Sequence, residues 1–314
     1  MKITIVLNKS DLPENIINEL KVLGEVDIID AKNLSENDAI EKIPETEILI
    51  CGSSGFRKIG KTMINGLKKL RFISVFGVGV DWIDISETTK RNIVVSIAKG
   101  CNSEAVAEHT WGMILNLSKR ISESERDTRN KGQVNVFNYQ GLEVYKKTIG
   151  IIGLGDIGQS IARIANGFEM KILGTSKSMK SVSGIETVSL DVLLKSSDIV
   201  TLCLPLNKET ENIIDIEEVQ KMKKHVIVIN CSREKLVNKK AILKGIADGK
   251  VFGYGVETDI FEKISADDGY FKYPQVLLTP HNAWNTKESR LKTLEVILEN
   301  VKAYLKGCPI NTVK

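Results

Sequence analysis

Short apolar runs alternate with amphipathic stretches along nearly the whole chain. In the first hundred residues the runs predict strands at Ile3–Leu7, Val26–Ile29, Ile48–Ile50, Phe72–Phe76 and Ile93–Ile97. Between them lie helical stretches such as Glu14–Leu23, which begins just after Pro13, a favourable first-turn residue. Such alternation argues for a parallel sheet covered by helices. Residues 103–121 read as one long helix, apolar at Val106, Ala107, Trp111, Ile114, Leu117 and Ile121. The polar stretch Ser122–Lys131 is either its exposed continuation or a connector. A second alternating unit starts at Thr148, with strands at Thr148–Ile152, Lys171–Leu173, Ile199–Leu204, Val226–Ile229, Val251–Val256 and Val276–Leu278. Its helices read at Gln159–Phe168, Leu190–Lys195, Glu217–Lys221 and Lys239–Ala247. A last helix is expected from Asn285, with Glu288 completing a capping box and Leu291, Leu294, Leu298, Val301 and Leu305 forming its apolar face. Gly307 and Pro309 would stop it.

At 314 residues the chain can bury two sizeable cores, and 42% apolar with 27% charged residues is ordinary for a globular protein. The net charge of +4 comes without a Lys/Arg-rich block, which gives no case for nucleic acid. The first apolar run is too short for a signal-peptide core and no later run could span a membrane, so a cytoplasmic location is expected. The five cysteines, Cys51, Cys101, Cys203, Cys231 and Cys308, are scattered and form no C-x-x-C. That argues for a reducing compartment and against a disulfide framework or a zinc site. Cys203 reads as a core residue, and packing is the favoured reading of Cys231 too.

The apolar run Thr148–Ile152 leads into Gly153-Leu154-Gly155-Asp156-Ile157-Gly158, and a helical pattern follows. In a G-x-G-x-x-G turn the first glycine permits the tight turn and the second a close approach of backbone to a pyrophosphate. The third lets helix and strand pack closely. Free N–H groups and the positive end of the helix dipole favour a phosphate there. A plain strand-to-helix turn without ligand is the competing reading, and the flanking strand and helix weigh against it. Gly52-Ser53-Ser54-Gly55 and Gly77-Val78-Gly79 also follow strands, where backbone N–H groups could hold a small anion. By themselves they read as tight turns. Three later segments each follow a strand of the second unit: Asn230–Arg233, Glu257–Glu262 and Thr279–Ala283. Of the three histidines, His109 reads as packed in a helix and His225 as solvated. His281, just after a strand and Pro280, suits proton transfer because imidazole titrates near neutral pH.

Taken in order, these motifs resemble the D-isomer-specific 2-hydroxyacid dehydrogenases. The resemblance runs through Phe76-Gly77-Val78-Gly79-Val80-Asp81, Val106-Ala107-Glu108, the glycine turn, Leu204-Pro205-Leu206, Asn230–Arg233, Glu262 and Thr279-Pro280-His281. It implies an α/β fold of two Rossmann-like doubly wound parallel-sheet domains with a cleft between them. The substrate domain would comprise residues 1–100 plus 285–314, and the dinucleotide domain residues 101–284. It implies that Arg233 grips a substrate carboxylate and polarises the keto oxygen. His281 would donate a proton to that oxygen as hydride arrives, and Glu262 would orient the imidazole and raise its pKa. Ser54 and the N–H groups of Val78 and Gly79 would help bind the carboxylate. Gly153, Gly155, Asp156, Ile157, Gly158, Thr175, Ser176, Lys177, Leu204, Pro205, Cys231, Glu257, His281 and Ala283 would line the cofactor site. A homodimer, a small-molecule partner and no metal are implied as well.

The chain also departs from the family pattern. Ser176 stands where members that prefer NAD carry an acidic residue, and Ser176 with Lys177 could bind a 2′-phosphate, so NADP is favoured over NAD. Glu257 replaces an aspartate near the nicotinamide. Glu234 replaces a glycine and would either pair with Arg233 or face solvent, and Lys263 replaces a proline after the glutamate. Trp284 either walls the pocket or packs at the domain interface. The expected function is hydride transfer between NAD(P)H and a small 2-keto acid such as glyoxylate or hydroxypyruvate. A phosphoglycerate dehydrogenase-like enzyme without a regulatory domain is an alternative, and the missing C-terminal extension disfavours the long regulated form. A dinucleotide-sensing scaffold is disfavoured because Arg233, Glu262 and His281 are all present. Formate dehydrogenase is disfavoured because relatives with that activity carry an amide in place of the glutamate.

Overall fold

A computed structural model describes residues 1–9, 12–30, 33–178, 181–258, 264–265 and 267–313. They form two compact units, Met1–Asn102 with Thr286–Lys314, and Ser103–Asn285.

The first unit holds strands β1 (Lys2–Val6), β2 (Glu25–Ile29), β3 (Ile48–Cys51), β4 (Phe72–Val75) and β5 (Val94–Ile97), all parallel to their neighbours, in the order β5-β4-β3-β1-β2. Helices cover both faces, so β3 and β4 are buried throughout. The two-residue period of the strands sorts their side chains. Leu49 and Cys51 meet Met63, Ile64 and Phe56, whereas Ile48 and Ile50 meet Leu20, Leu294 and Val301. Among the helices here are α1 (Glu14–Leu23), α2 (Glu36–Lys42), α3 (Lys61–Gly66) and α4 (Ile85–Lys90).

The second unit opens with α5 (Ser103–Lys119). It ends where the sequence pattern ran on, because Arg120 takes a left-handed conformation (φ 54°). A separate helix, α6 (Ile121–Lys131), follows with no buried residue. Strands β6 (Thr148–Ile152), β7 (Lys171–Thr175), β8 (Glu186–Thr187), β9 (Ile199–Leu202), β10 (Val226–Asn230), β11 (Val251–Glu257) and β12 (Val276–Thr279) form one parallel sheet in the order β12-β11-β10-β9-β6-β7-β8. Strand order reverses beside β6, the kind of crevice where doubly wound sheets take ligands. Helix α7 (Asp156–Gly167) leaves β6 and packs against α5, with the stacked pair Trp111 and Phe168 (centroids 4.8 Å apart) at the contact. Helices α8 (Leu190–Ser196), α9 (Ile216–Lys221) and α10 (Lys239–Ala247) complete the unit.

The last helix, α11 (Lys287–Leu305), belongs to the first unit. Its cap is Thr286, whose hydroxyl accepts from Ser289 N–H, so the expected box between Asn285 and Glu288 does not form. The helix thus starts one residue later than expected, on threonine although asparagine is the stronger N-cap by type. After it, β13 (Thr312–Val313) adds an antiparallel edge to β5. Asn300, fully buried on α11, donates to Ile97 O (3.0 Å) and accepts from Asn311 (2.9 Å).

Candidate active site

Because the strands of the second sheet run parallel, their carboxyl ends share one edge. The glycine turn, Leu204–Pro205, Asn230–Arg233, Glu257 and Thr279–Ala283 all emerge there, after β6, β9, β10, β11 and β12. In the glycine turn each glycine has its own reason. Gly153 has φ +106°, and a Cβ on it would lie 2.2 Å from Cys203 O. A Cβ on Gly158 would lie 2.2 Å from Gly153 O. Gly155 is different: its φ is ordinary (−76°) and a Cβ would meet nothing within 4 Å. The fold therefore does not require glycine at 155, but a ligand lying against that backbone would. Gly155 caps α7 with no side-chain hydrogen bond, which leaves the N–H groups around Asp156 and Ile157 to a phosphate.

At the end of β7, Thr175 O accepts from Gly153 N–H (2.8 Å) and ties this strand end to the glycine turn. The next residue, Ser176, carries a buried hydroxyl with no hydrogen-bond partner. Lys177 pairs with Glu209 at 2.6 Å, both side chains largely exposed. An exposed pair of this kind is worth only about 0–1 kcal/mol, so Lys177 is readily redirected to a phosphate. The Ser176 hydroxyl, the open Gly155 and the uncapped helix together fit a dinucleotide.

Glu257 is the most elaborately held carboxylate of the site. Its Oε1 accepts from the Thr279 hydroxyl (3.1 Å), Asn282 N–H (2.8 Å) and Ala283 N–H (3.0 Å). Burial raises its pKa, while these hydrogen bonds and the Arg233 charge pull the other way. His109 from α5 joins the group, with Nε2 3.2 Å from the Thr279 hydroxyl and 3.8 Å from Glu257. Burial lowers the His109 pKa and favours the neutral ring, whose Nε2–H can then donate to Thr279. His109 is thus part of a polar triad, which corrects the reading of it as a packing residue. The triad bears on His281 through the backbone: Thr279, Asn282 and Ala283 flank it, and its own φ is +55°.

Arg233 is set by the end of β10. Asn230, fully buried, donates from Nδ2 to Arg233 O (2.8 Å) and accepts from Ser232 N–H (3.2 Å). The Ser232 hydroxyl donates to Leu202 O (2.8 Å). Glu234 follows, half-buried, as the first residue of the 3-10 turn Glu234–Leu236. Leu204 and Pro205 follow β9, and Pro205 O is held by the Thr210 hydroxyl (2.7 Å). Burial pushes the thiols of Cys203 and Cys231 up to about 12, so neither is a thiolate nucleophile at neutral pH. Glu262 lies outside the described residues.

In the first unit, Ser54 sits in the turn after β3 and its carbonyl accepts from Asn33 N–H (3.0 Å). Gly77, with φ +136°, turns the chain after β4. The N–H groups of Val78 and Gly79 make no hydrogen bond among the described residues, which leaves them to an anion. The sequence brought Asn230 and Thr279 to this edge as members of the segments Asn230–Arg233 and Thr279–Ala283 but gave neither a role of its own, and it did not join His109 to the site. Among the described residues no cluster of His, Cys, Asp and Glu could hold a metal, and no helix is long and apolar enough to cross a membrane.

Residues 111–283 match the family model described as D-isomer specific 2-hydroxyacid dehydrogenase, NAD binding domain. The chain is 32% identical to a glyoxylate reductase of Korarchaeum cryptofilum, over 95% of this chain and 91% of that protein. It is also 32% identical to a D-3-phosphoglycerate dehydrogenase of Methanocaldococcus jannaschii, but spans only 57% of that relative's length. Among solved structures, an acyclic imino acid reductase in complex with NADPH and D-Arg superposes with a TM-score of 0.92 at 30% identity, each chain covered completely.

Proposed function

The chain belongs to the D-isomer specific 2-hydroxyacid dehydrogenases, and from that premise we propose that it moves a hydride between NADPH and a small 2-keto acid, glyoxylate or hydroxypyruvate first. The observation that carries this reading is the shared sheet edge, where an arginine at the end of β10 and a histidine held after β12 stand on one side of a glycine turn that leaves room for a dinucleotide. A bound nicotinamide supplies the hydride. The protein's own residues do the rest. The planar Arg233 guanidinium takes the carboxylate in two hydrogen bonds and withdraws charge from the neighbouring keto oxygen. His281, as imidazolium, hands a proton to that oxygen, and reversing the direction makes it the base. Glu262 is the partner proposed for its second nitrogen. The Val78 and Gly79 N–H groups add donors for the carboxylate, and Ser54 lines the same loop region. Residues 1–100 with 285–314 serve the substrate and residues 101–284 the cofactor. The working form is a cytoplasmic homodimer.

Preference for NADPH rests on Ser176. Its hydroxyl is buried and unpartnered, and no carboxylate stands there to repel a 2′-phosphate. Lys177 is the cation beside it, and the NADPH held by the imino acid reductase agrees with this direction.

Nicotinamide oxidation with a panel of 2-keto acids, run with NADPH and with NADH, tests the reading. Turnover of glyoxylate or hydroxypyruvate with NADPH supports both parts. Turnover with NADH alone keeps the reaction and removes the cofactor preference. Turnover only when an amine accompanies the keto acid assigns the site to imine reduction. Cofactor binding without turnover of any substrate overturns the enzyme reading in favour of a dinucleotide sensor.

A further inference from the structure

Strands β7 and β9 lie on either side of β6, so the loops that follow them flank the glycine turn. An ion pair joins those two loops, Lys177 Nζ to Glu209 Oε2 at 2.6 Å. The pair therefore bridges the two sides of the crevice in which a doubly wound sheet takes its ligand.

Its two ends are anchored differently. Glu209 stands on a turn whose backbone is fixed. Asn207 Oδ1 accepts from the N–H groups of Glu209 (2.8 Å) and Thr210 (3.1 Å), so an asparagine side chain closes the turn. Asn207 N–H donates to the Thr210 hydroxyl (2.8 Å), which donates in turn to Pro205 O (2.7 Å). Glu209 is thereby presented from a set place just beyond Leu204–Pro205. Lys177 follows β7 by two residues and carries its ammonium on a long flexible stem, 85% exposed. That ammonium can leave Glu209 without any backbone change.

Charge decides what each cofactor meets there. The Ser176 hydroxyl is buried and unpartnered, and the Lys177–Glu209 pair next to it has no net charge. A ribose hydroxyl can enter with the pair intact. A 2′-phosphate is strongly anionic and attracts the ammonium, but has to draw it from Glu209. The carboxylate left behind then repels the phosphate.

We infer that Glu209 is a specificity-determining residue: its carboxylate competes with the 2′-phosphate of NADPH for the Lys177 ammonium and so narrows the discrimination between NADPH and NADH. The inference rests on the reading of Ser176 and Lys177 as the 2′-phosphate site. Exposed ion pairs are weak, so Glu209 tempers NADPH binding and does not prevent it.

Fluorescence titration of the purified protein with NADPH and with NADH tests this without any turnover. Glu209→Gln keeps the size of the side chain and removes its charge. We expect the NADPH Kd to fall about three- to fivefold and the NADH Kd to change by less than about twofold. Lys177→Gln should raise the NADPH Kd. Adding Glu209→Gln to that background should gain less than about twofold, because the contested ammonium is gone. An unchanged NADPH Kd in Glu209→Gln overturns the inference. So does an equal gain for NADH, or a gain that persists in full in the Lys177→Gln background, where only a general charge effect could produce it. A parent that binds NADH more tightly than NADPH removes the proposed preference alone, and Glu209→Gln still judges the inference. A parent that binds neither dinucleotide overturns the reading of the site and the inference with it.

Discussion

Glu257 combines two opposing demands, since burial disfavours its charge while three donors are aimed at one of its oxygens. Its pKa is raised above the ordinary value of 4.5. A carboxyl whose pKa is higher folded than unfolded contributes stability below the unfolded value, and that contribution is lost as pH rises through the folded one. Glu257→Gln keeps an acceptor for the same N–H groups but carries no charge. We therefore expect the Tm of this variant, relative to the parent, to rise with pH from about 4.5 upward and then level off. Calorimetry across that range checks it, and a difference independent of pH would contradict it. His281 calls for a substitution that respects its left-handed backbone, and asparagine tolerates φ > 0 far better than most residues. His281→Asn should lower kcat by about 10²–10⁴-fold while cofactor affinity, measured by titrating NADPH fluorescence, stays near the parent value. Loss of cofactor binding along with rate would instead make His281 a binding residue. The sequence made both residues visible, since each is a titratable group just after an apolar strand. It could not show that Glu257 holds the histidine's loop, because those partners are two backbone N–H groups and a helix residue far upstream.

Elements were the most readable scale. Strand β6 runs from Thr148 to Ile152 as its apolar run predicts, and α1 and α10 keep their expected limits, because burial on both sheet faces or one helix face writes itself as periodicity. What escaped depends on single backbone conformations or on very short pairing. The left-handed Arg120 ends the helix predicted over residues 103–121 and makes a separate helix, α6, of the polar stretch read as either its continuation or a connector, and the two residues of β13 carry too little pattern to read. The glycine turn shows how an element can contain both structural and functional glycines. We expect Gly153→Ala and Gly158→Ala to destabilise the protein by about 1–3 kcal/mol, since each new methyl meets a fixed carbonyl. Gly155→Ala has open space and an ordinary φ, so stability should change by less than about 0.5 kcal/mol. Its cost should appear in cofactor affinity, which we expect to fall at least about tenfold as the methyl occupies the dinucleotide's path. Urea unfolding and NADPH titration on the same samples separate the two effects. Unchanged affinity in Gly155→Ala would leave that glycine without a functional reason.

At the scale of the whole molecule the two units are built from the chain in different ways. Residues 103–285 are continuous and enclose their own cores on both faces of the seven-stranded sheet. The other unit is discontinuous, and its core depends on the returning segment. Leu294, Ile297, Leu298 and Val301 of α11 pack with Ile3, Ile5, Ile48, Ile50 and Phe72, and Tyr304 stacks on Phe72 at 4.3 Å. Fully burying an aliphatic side chain of this size is worth about 1.5–3 kcal/mol. Four of them together approach the whole net stability of a small domain, about 5–15 kcal/mol. We therefore expect residues 103–285 expressed alone to unfold cooperatively and to bind NADPH, because the glycine turn and the Ser176 loop lie within that stretch. Residues 1–102 expressed alone should expose the face that α11 covers, lack a cooperative transition and associate through that face. Adding residues 286–314 as a separate peptide should restore the transition, since the peptide supplies the missing helix and the edge strand β13. A cooperative transition of residues 1–102 without the peptide would mean that β1–β5 and their own helices suffice, and that the returning segment contributes far less than its buried side chains indicate.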